Sequence, residues 1–279
     1  MQSQTEQESA PSSSSKTNKI DFTSLLDIII GAVIFFAGWQ AVFWLHLYPS
    51  FLFPSPLMVL ERLIFLAKSP NPKFNLGAST LITMERLAAG FTISVGLGTA
   101  VGMVMVRFRR FGRTMNSFCV GLQSYPSIAW VPFAILIVGL NNYGIVFVVV
   151  ISSVFSMMVS TYSSLRNIPP IYVKAARNMG EGGVSLFKNV MLPASFPSLI
   201  TGIRQTWSFA WHALIGAEIL MATIGLGALL ELGADFAEMN QIIAAMVIIF
   251  IIGFAVDRVL FSMVEDRVRT KRGLNQIPT

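Results

Sequence analysis

Charge is scarce in this chain. Only 12% of its 279 residues are Asp, Glu, Lys or Arg, against 54% hydrophobic residues. A soluble globular domain carries about 25% charged residues, so a chain of this composition is expected to be solvated by lipid. Cysteine is nearly absent too: the single Cys119 excludes an internal disulfide and a cysteine-based metal site. The two histidines, His46 and His212, stand too far apart in sequence for a metal-ligand spacing. No Ser/His/Asp or His/Glu grouping suits a membrane enzyme, and no GxxxxGK followed by Ser or Thr occurs, so any ATP hydrolysis belongs to another chain. Nothing in the sequence calls for a metal or a cofactor. The net charge of +6 does not indicate nucleic acid, because the basic residues punctuate apolar spans instead of forming a stripe.

What is present is an all-α pattern of about six transmembrane helices. Residues 1–20, with serines at 12–15, cannot bury enough surface to fold and are expected to form a disordered tail. They lack the short apolar core and cleavage site of a secretory signal. The membrane domain is expected over 21–272, with a second tail at 273–279. The first span is predicted over about 28–48, with Trp39, Trp44 and Tyr48 as interfacial anchors and Pro49, Pro54 and Pro56 as its stop. Residues 56–68 carry Leu57, Leu60, Leu63 and Ile64 at helical spacing beside Glu61 and Arg62, the pattern of an amphipathic helix that does not span. A second span is predicted at about 81–106, with Gly98 and Gly102 on one face for close helix contact. The third, about 118–138, is interrupted by Pro126 and Pro132. The fourth runs over about 143–165, the fifth over 195–221 and the sixth over 241–263.

Charge placement sets the expected topology. With both tails, the loop after the second span and the central loop on one side, fourteen of the twenty Lys and Arg fall there. The other side keeps four, Arg62, Lys68, Lys73 and Arg86, while Arg204 and Arg258 lie in or near the membrane. Basic residues concentrate on the cytoplasmic side, so both termini are expected inside. The loop with Glu231, Asp235 and Glu238 is expected outside.

Residues 174–193, KAARNMGEGGVSLFKNVMLP, are too polar to enter a bilayer, with Lys174, Arg177, Glu181 and Lys188 close together. Small Ala175 and Ala176 let a helix approach a partner, Gly180 breaks it, and Pro193 can start the next helix. The stretch resembles the cytoplasmic loop signature of ABC importer permeases: Glu-Ala-Ala, three residues, Gly, nine residues, Ile, one residue, Leu-Pro. Ala175, Ala176, Gly180, Leu192 and Pro193 match at the required spacing, while Lys174 replaces the Glu and Val190 the Ile. Leu52-Phe53-Pro54-Ser55-Pro56 resembles the LPSP segment of the nitrate, sulfonate and taurine permeases. The run from Tyr125 through Pro132, Gly202-Ile203-Arg204 and Ala217-Glu218 look like further segments of that group.

The resemblance covers nearly all of 54–272 and implies the type I importer permease fold in the bacterial inner membrane. It further implies a homodimer with the path at its interface, two ATPase subunits, and an extracytoplasmic substrate-binding protein that delivers cargo. Lys174, Ala175, Ala176, Gly180, Leu192 and Pro193 would then belong to the coupling helix and its exit. The implied cargo is sulfonate or nitrate first, with bicarbonate and taurine also within the group. An ion-coupled secondary transporter is the competing reading; it would show inverted repeats and midplane carboxylates, and only Glu218 is seen deep in a span.

Arg204, Trp207, Ser208, Trp211, Ile215 and Glu218 recur at three- and four-residue spacing, which places them on one face of the fifth helix. A cation, a hydroxyl and indole donors suit a small oxyanion, so this face is a candidate lining, with His212 one position off it. The alternative pairs Arg204 with a carboxylate or backbone carbonyls and packs the tryptophans between helices. Glu218 opposes an anion path and requires protonation by burial, a partner or a structural role; about 21 Å from Arg204 along a helix, it cannot pair with it. Gln123, Ser124, Tyr125, Ser127 and Trp130 surround the Pro126 bend as a second candidate stretch, with a plain kink as the alternative. Gly225-Leu226-Gly227 is expected to be the stop and turn of the fifth helix.

Overall fold

The computed structural model describes residues 22–221 and 223–271, and all regular structure among them is helical. The expected tails at 1–20 and 273–279 lie outside the described residues. The chain divides after Pro56 into two units. In the first, α1 (Phe22–Trp44) starts earlier than predicted and stops before Tyr48. A turn at His46, with φ of 50°, follows it, and the Trp39 indole donates to the Pro54 carbonyl at 3.0 Å, holding the proline-rich segment against the helix.

The second unit comprises α2 (Pro56–Lys68), α3 (Leu76–Arg107), α4 (Arg109–Gln123), a 3-10 turn (Ser127–Trp130) leading into α5 (Val131–Ile137), and α6 (Asn142–Arg166). Then come α7 (Pro170–Asn178), α8 (Gly183–Leu186), α9 (Leu192–Met221), α10 (Leu226–Asp235), α11 (Met239–Ala255) and α12 (Ser262–Lys271). The amphipathic α2 buries Val59 and Leu66 and exposes Leu57, Leu60, Ile64 and Phe65. Asn75 and Asn141 cap α3 and α6 by accepting the Ala78 and Gly144 N–H groups at 2.8 and 3.0 Å.

At the centre α6 packs against α3 on one side and α9 on the other. Small residues let these backbones approach, as helix association in lipid requires. A β-carbon at Gly98 would fall 2.5 Å from Met157 Cβ, one at Gly102 2.6 Å from Thr161 Cβ, and one at Gly202 2.4 Å from Ser160 Cβ. The predicted Gly98/Gly102 face is therefore a real seam, and the Ser94 and Ser153 hydroxyls meet within it at 2.8 Å.

Several boundaries differ from expectation, each for a local reason. The third span is a broken pair: α4 already begins at Arg109, and the axis turns by 99° before residues 127–137. Pro126 sits at that break, whereas Pro132 occupies the first turn of α5, where its missing N–H leaves no bond unmade. Pro193 lies in the first turn of α9, as expected, but no loop precedes it. A π turn at Phe187–Met191, in which the Leu192 N–H bonds to the Phe187 carbonyl, carries α8 into α9 and accommodates the proline, which has no N–H to donate. A second π turn, Val256–Phe261, joins α11 to α12. Finally, α10 replaces the expected polar loop, because Leu226, Ala228 and Leu229 are buried. Among the described residues, three helices are long and apolar enough to cross a membrane, or up to five if each bent pair is one span. The apolar part of α1, Val33–Trp44, is shorter than a span.

Candidate functional site

The fold divides the α9 face that the sequence marked out. Trp207, Ser208, Trp211 and Ile215 line an open groove of about 510 Å³ whose other wall includes Leu230, Met246, Phe250, Phe254 and Asp257. His212 lines it as well, since the groove is wider than the stripe drawn from spacing. Trp207 stacks on Trp211 at 6.3 Å and 9°, and Phe250 on Phe254 at 5.8 Å and 20°. Trp211 is buried, and its indole nitrogen would be 2.9 Å from a β-carbon at Gly253, so a side chain there would push α11 away. The His212 Nδ1 lies 2.6 Å from the Ser208 carbonyl. A carbonyl only accepts, so Nδ1 carries the proton and Nε2 is an acceptor in the neutral ring.

Arg204 ends this face paired with carboxylates, the alternative left open by the sequence. Its Nε and Nη2 donate to the two oxygens of Asp257 at 2.7 and 2.5 Å, and its Nη1 to Glu265 at 3.4 Å. One guanidinium thus meets two carboxylates, and the charge of Arg258 also acts on Asp257. Sequence reasoning missed Asp257, although a signal existed: it is the lone acid in the apolar run 241–263, and an ionisable group inside a span requires a partner.

Glu218 leaves the groove altogether and is fully buried. It accepts from Arg86 Nη1 at 2.8 Å, from the Thr83 hydroxyl at 2.9 Å and from the Gly227 N–H at 3.0 Å. Arg86 also donates to the Ile224 carbonyl at 2.8 Å and to Asn142 Oδ1 at 2.6 Å. Gly225-Leu226-Gly227 is therefore more than a turn: β-carbons at Gly225 and Gly227 would lie 2.5 Å from the Glu218 carboxyl and 2.7 Å from its Cβ. Arg86, counted above as an outside loop charge, is a buried ion-pair partner. Of the second candidate stretch, Gln123 donates to the Phe155 carbonyl at 3.1 Å and ties α4 to α6. Tyr125 is exposed, edge-on to Trp130 at 5.2 Å. Neither is part of the groove lining.

Residues 174–193 form α7 and its continuation. Gly180, at φ of +89°, ends α7, where the Glu181 N–H reaches back to the Ala176 carbonyl at 3.0 Å. Lys174 and Ala175 are exposed, as are Leu192 and Pro193. Ala176 is buried within its own chain, so it seats α7 and does not face outward as its spacing implied. Ile171, Tyr172, Met179 and Val184 supply the exposed apolar surface instead. Hydrogen bonds donated by Ser185 and by Asn189 hold the Glu181 carboxyl below the usual carboxylate range.

The family model for the binding-protein-dependent transport system inner membrane component matches residues 93–270, taking in α6, the α7 loop and the groove helices. The chain belongs to this permease family. The permease is 31% identical over 194 residues to a putative ABC transporter permease of Methanocaldococcus jannaschii, across 68% of this chain and 71% of the relative. It is 25% identical over 210 residues to the nitrate import permease NrtB of Synechocystis, covering 74% and 76% of the two chains. With the bicarbonate permease CmpB of Synechococcus elongatus it shares 29% identity over 180 residues, 64% and 65% of the two chains. A chain of the inward-facing MetNI methionine ABC transporter superposes with a TM-score of 0.56 at 18% identity, over 70% of this permease and 95% of that chain. The permease therefore has the all-α type I importer fold and is a multi-pass membrane protein.

Proposed function

We propose that this permease is the membrane subunit of an ATP-driven importer. Two copies form the path, two ATPase subunits dock on the α7 loop and hydrolyse ATP, and an extracytoplasmic binding protein delivers the cargo. The observation that carries the docking is the exposed apolar set Ile171, Tyr172, Met179 and Val184 in an otherwise polar loop. A patch of that kind, rimmed by polar residues, marks a protein contact. Lys174 and Ala175 flank it, Ala176 seats it, Gly180 shapes its end, and Leu192 with Pro193 leads into α9. Without Arg86, the basic split becomes fourteen to three, which supports both termini and the loop in the cytoplasm.

The test is co-purification with the candidate ATPase and substrate-stimulated ATP hydrolysis. Tyr172→Asp and Met179→Asp change only exposed positions and are expected to lose the ATPase while keeping the folded permease. Gly180→Val is expected to lose it through backbone strain. Wild-type retention and stimulation in all three variants would remove the loop from the coupling role.

For the cargo, the resemblance to sulfonate permeases and the nitrate and bicarbonate relatives support a small oxyanion. It would pass Trp207, Ser208 and Trp211 with Arg204 at the end, and Gln123 and Tyr125 would flank a second stretch of the path. The aromatic surface of the groove favours a different solute.

A further inference from the structure

We propose that the groove between α9 and α11 selects a flat aromatic solute bearing N–H donors, neutral or singly cationic, over a small oxyanion. This rests on the importer reading above and names the cargo class of the same path. An oxyanion leaving water needs hydrogen-bond donors or free positive charge in exchange. The groove offers little of either. No lysine lines it, the Trp211 indole nitrogen packs against Gly253, and Arg204 is held at both Asp257 oxygens and by Glu265.

The groove is rich in the opposite features. The Asp257 carboxylate has acceptor capacity beyond its two bonds to Arg204, and Nε2 of His212 accepts in the neutral ring. The Ser208 hydroxyl, one turn before His212, also lines the groove and can accept as well as donate. Stacked pairs, Trp207/Trp211 on α9 and Phe250/Phe254 on α11, supply aromatic surface on both walls. Aromatic faces attract flat rings and cations. A volume of about 510 Å³ lies in the range of small-molecule sites, about 300–1,000 Å³.

The experiment uses the full-length permease in lipid nanodiscs with its ATPase bound, read by intrinsic tryptophan fluorescence. Benzamidine is titrated as the flat cationic probe, with nitrate, bicarbonate and methanesulfonate as the anionic ones. Saturable quenching by benzamidine alone is expected. Trp207→Ala and Phe250→Leu are expected to weaken it by about 5- to 30-fold, the loss of one cation–π or stacking contact. Asp257→Asn removes a carboxylate and unmasks Arg204, so benzamidine is expected to weaken and nitrate to gain saturable binding; a fold defect alone would not reverse the preference. Saturable binding of the anions but not benzamidine to the wild type overturns the cargo class, as does binding of none of the probes, the result expected if a second copy fills the groove. If the complex retains its ATPase in either case, only the cargo class fails. A folded permease that holds no ATPase is instead the failure of the importer reading.

Discussion

Replacing Arg86 by alanine is the sharpest test of how this fold is held. Arg86 is 6% exposed and Glu218 0%, so removing the guanidinium leaves a carboxylate in the interior with only the Thr83 hydroxyl and the Gly227 N–H as donors. The Ile224 carbonyl and Asn142 Oδ1 lose their Arg86 donors in the same step. Breaking a buried pair from one side costs about 3–5 kcal/mol. At about 2 °C per kcal/mol for a chain of this size, the melting temperature in nanodiscs is expected to fall by about 6–10 °C. The double variant Arg86→Met with Glu218→Gln buries no uncompensated charge and is expected to recover at least half of that loss. Two results would refute the reasoning: Arg86→Ala melting with the wild type, or the double variant melting below both single variants.

Steric closeness at the α6–α9 seam predicts that Gly202→Ala, with its new methyl 2.4 Å from Ser160 Cβ, destabilises by about 1–3 kcal/mol. Gly121→Ala, with nothing within 4 Å, is expected to hold or gain stability in the same melt. For topology, single cysteines at Ser12 or Ser185 in a Cys119→Ser background are expected to resist impermeant thiol reagents in intact cells; labelling of both from outside sinks the orientation. Because its hydrogen bonds lower the Glu181 carboxyl from the ordinary 4.5, their contribution is fully present above that pH and lost as pH falls through the lowered value. Amide exchange at Leu186 and Phe187, whose N–H groups bond to the Gly182 and Gly183 carbonyls, corrected for intrinsic rate, is therefore expected to accelerate below pH 4.5, and Ser185→Ala is expected to show the fast exchange already at neutral pH. Unchanged protection in that variant counts against the Glu181 contacts.

Much of the fold was legible because lipid imposes a simple demand: a span needs a long apolar run, and interruptions show. The amphipathic α2 was read with its observed bounds, and Pro126 marked the break between α4 and α5. What was not legible depends on partners distant in sequence. Glu218 needs Arg86, 132 residues away, and Arg204 needs Asp257, 53 away; no local period encodes either pairing. The helix α10 stayed hidden because Leu226, Ala228 and Leu229 read as a helix only once α9 and α11 bury them. In the α7 loop, spacing located Ala175 and Ala176 but not which of them faces inward, since adjacent alanines differ only in their position around the helix.

The seam of the second unit is built from hydroxyls and hydrogens, and its outside from bulk. Ser94, Ser153, Ser156, Ser160 and Thr161 are buried, while Leu81, Leu97, Phe118 and Leu136 are exposed. Drift in sequence therefore has an uneven cost around each helix. Where the surface meets lipid tails, one large apolar residue can follow another with little change in solvation. Along the seam even a methyl group has nowhere to go. Most of the side-chain mass of this chain can thus be exchanged while the distances between helix axes stay put, which rest on the smallest side chains in the molecule.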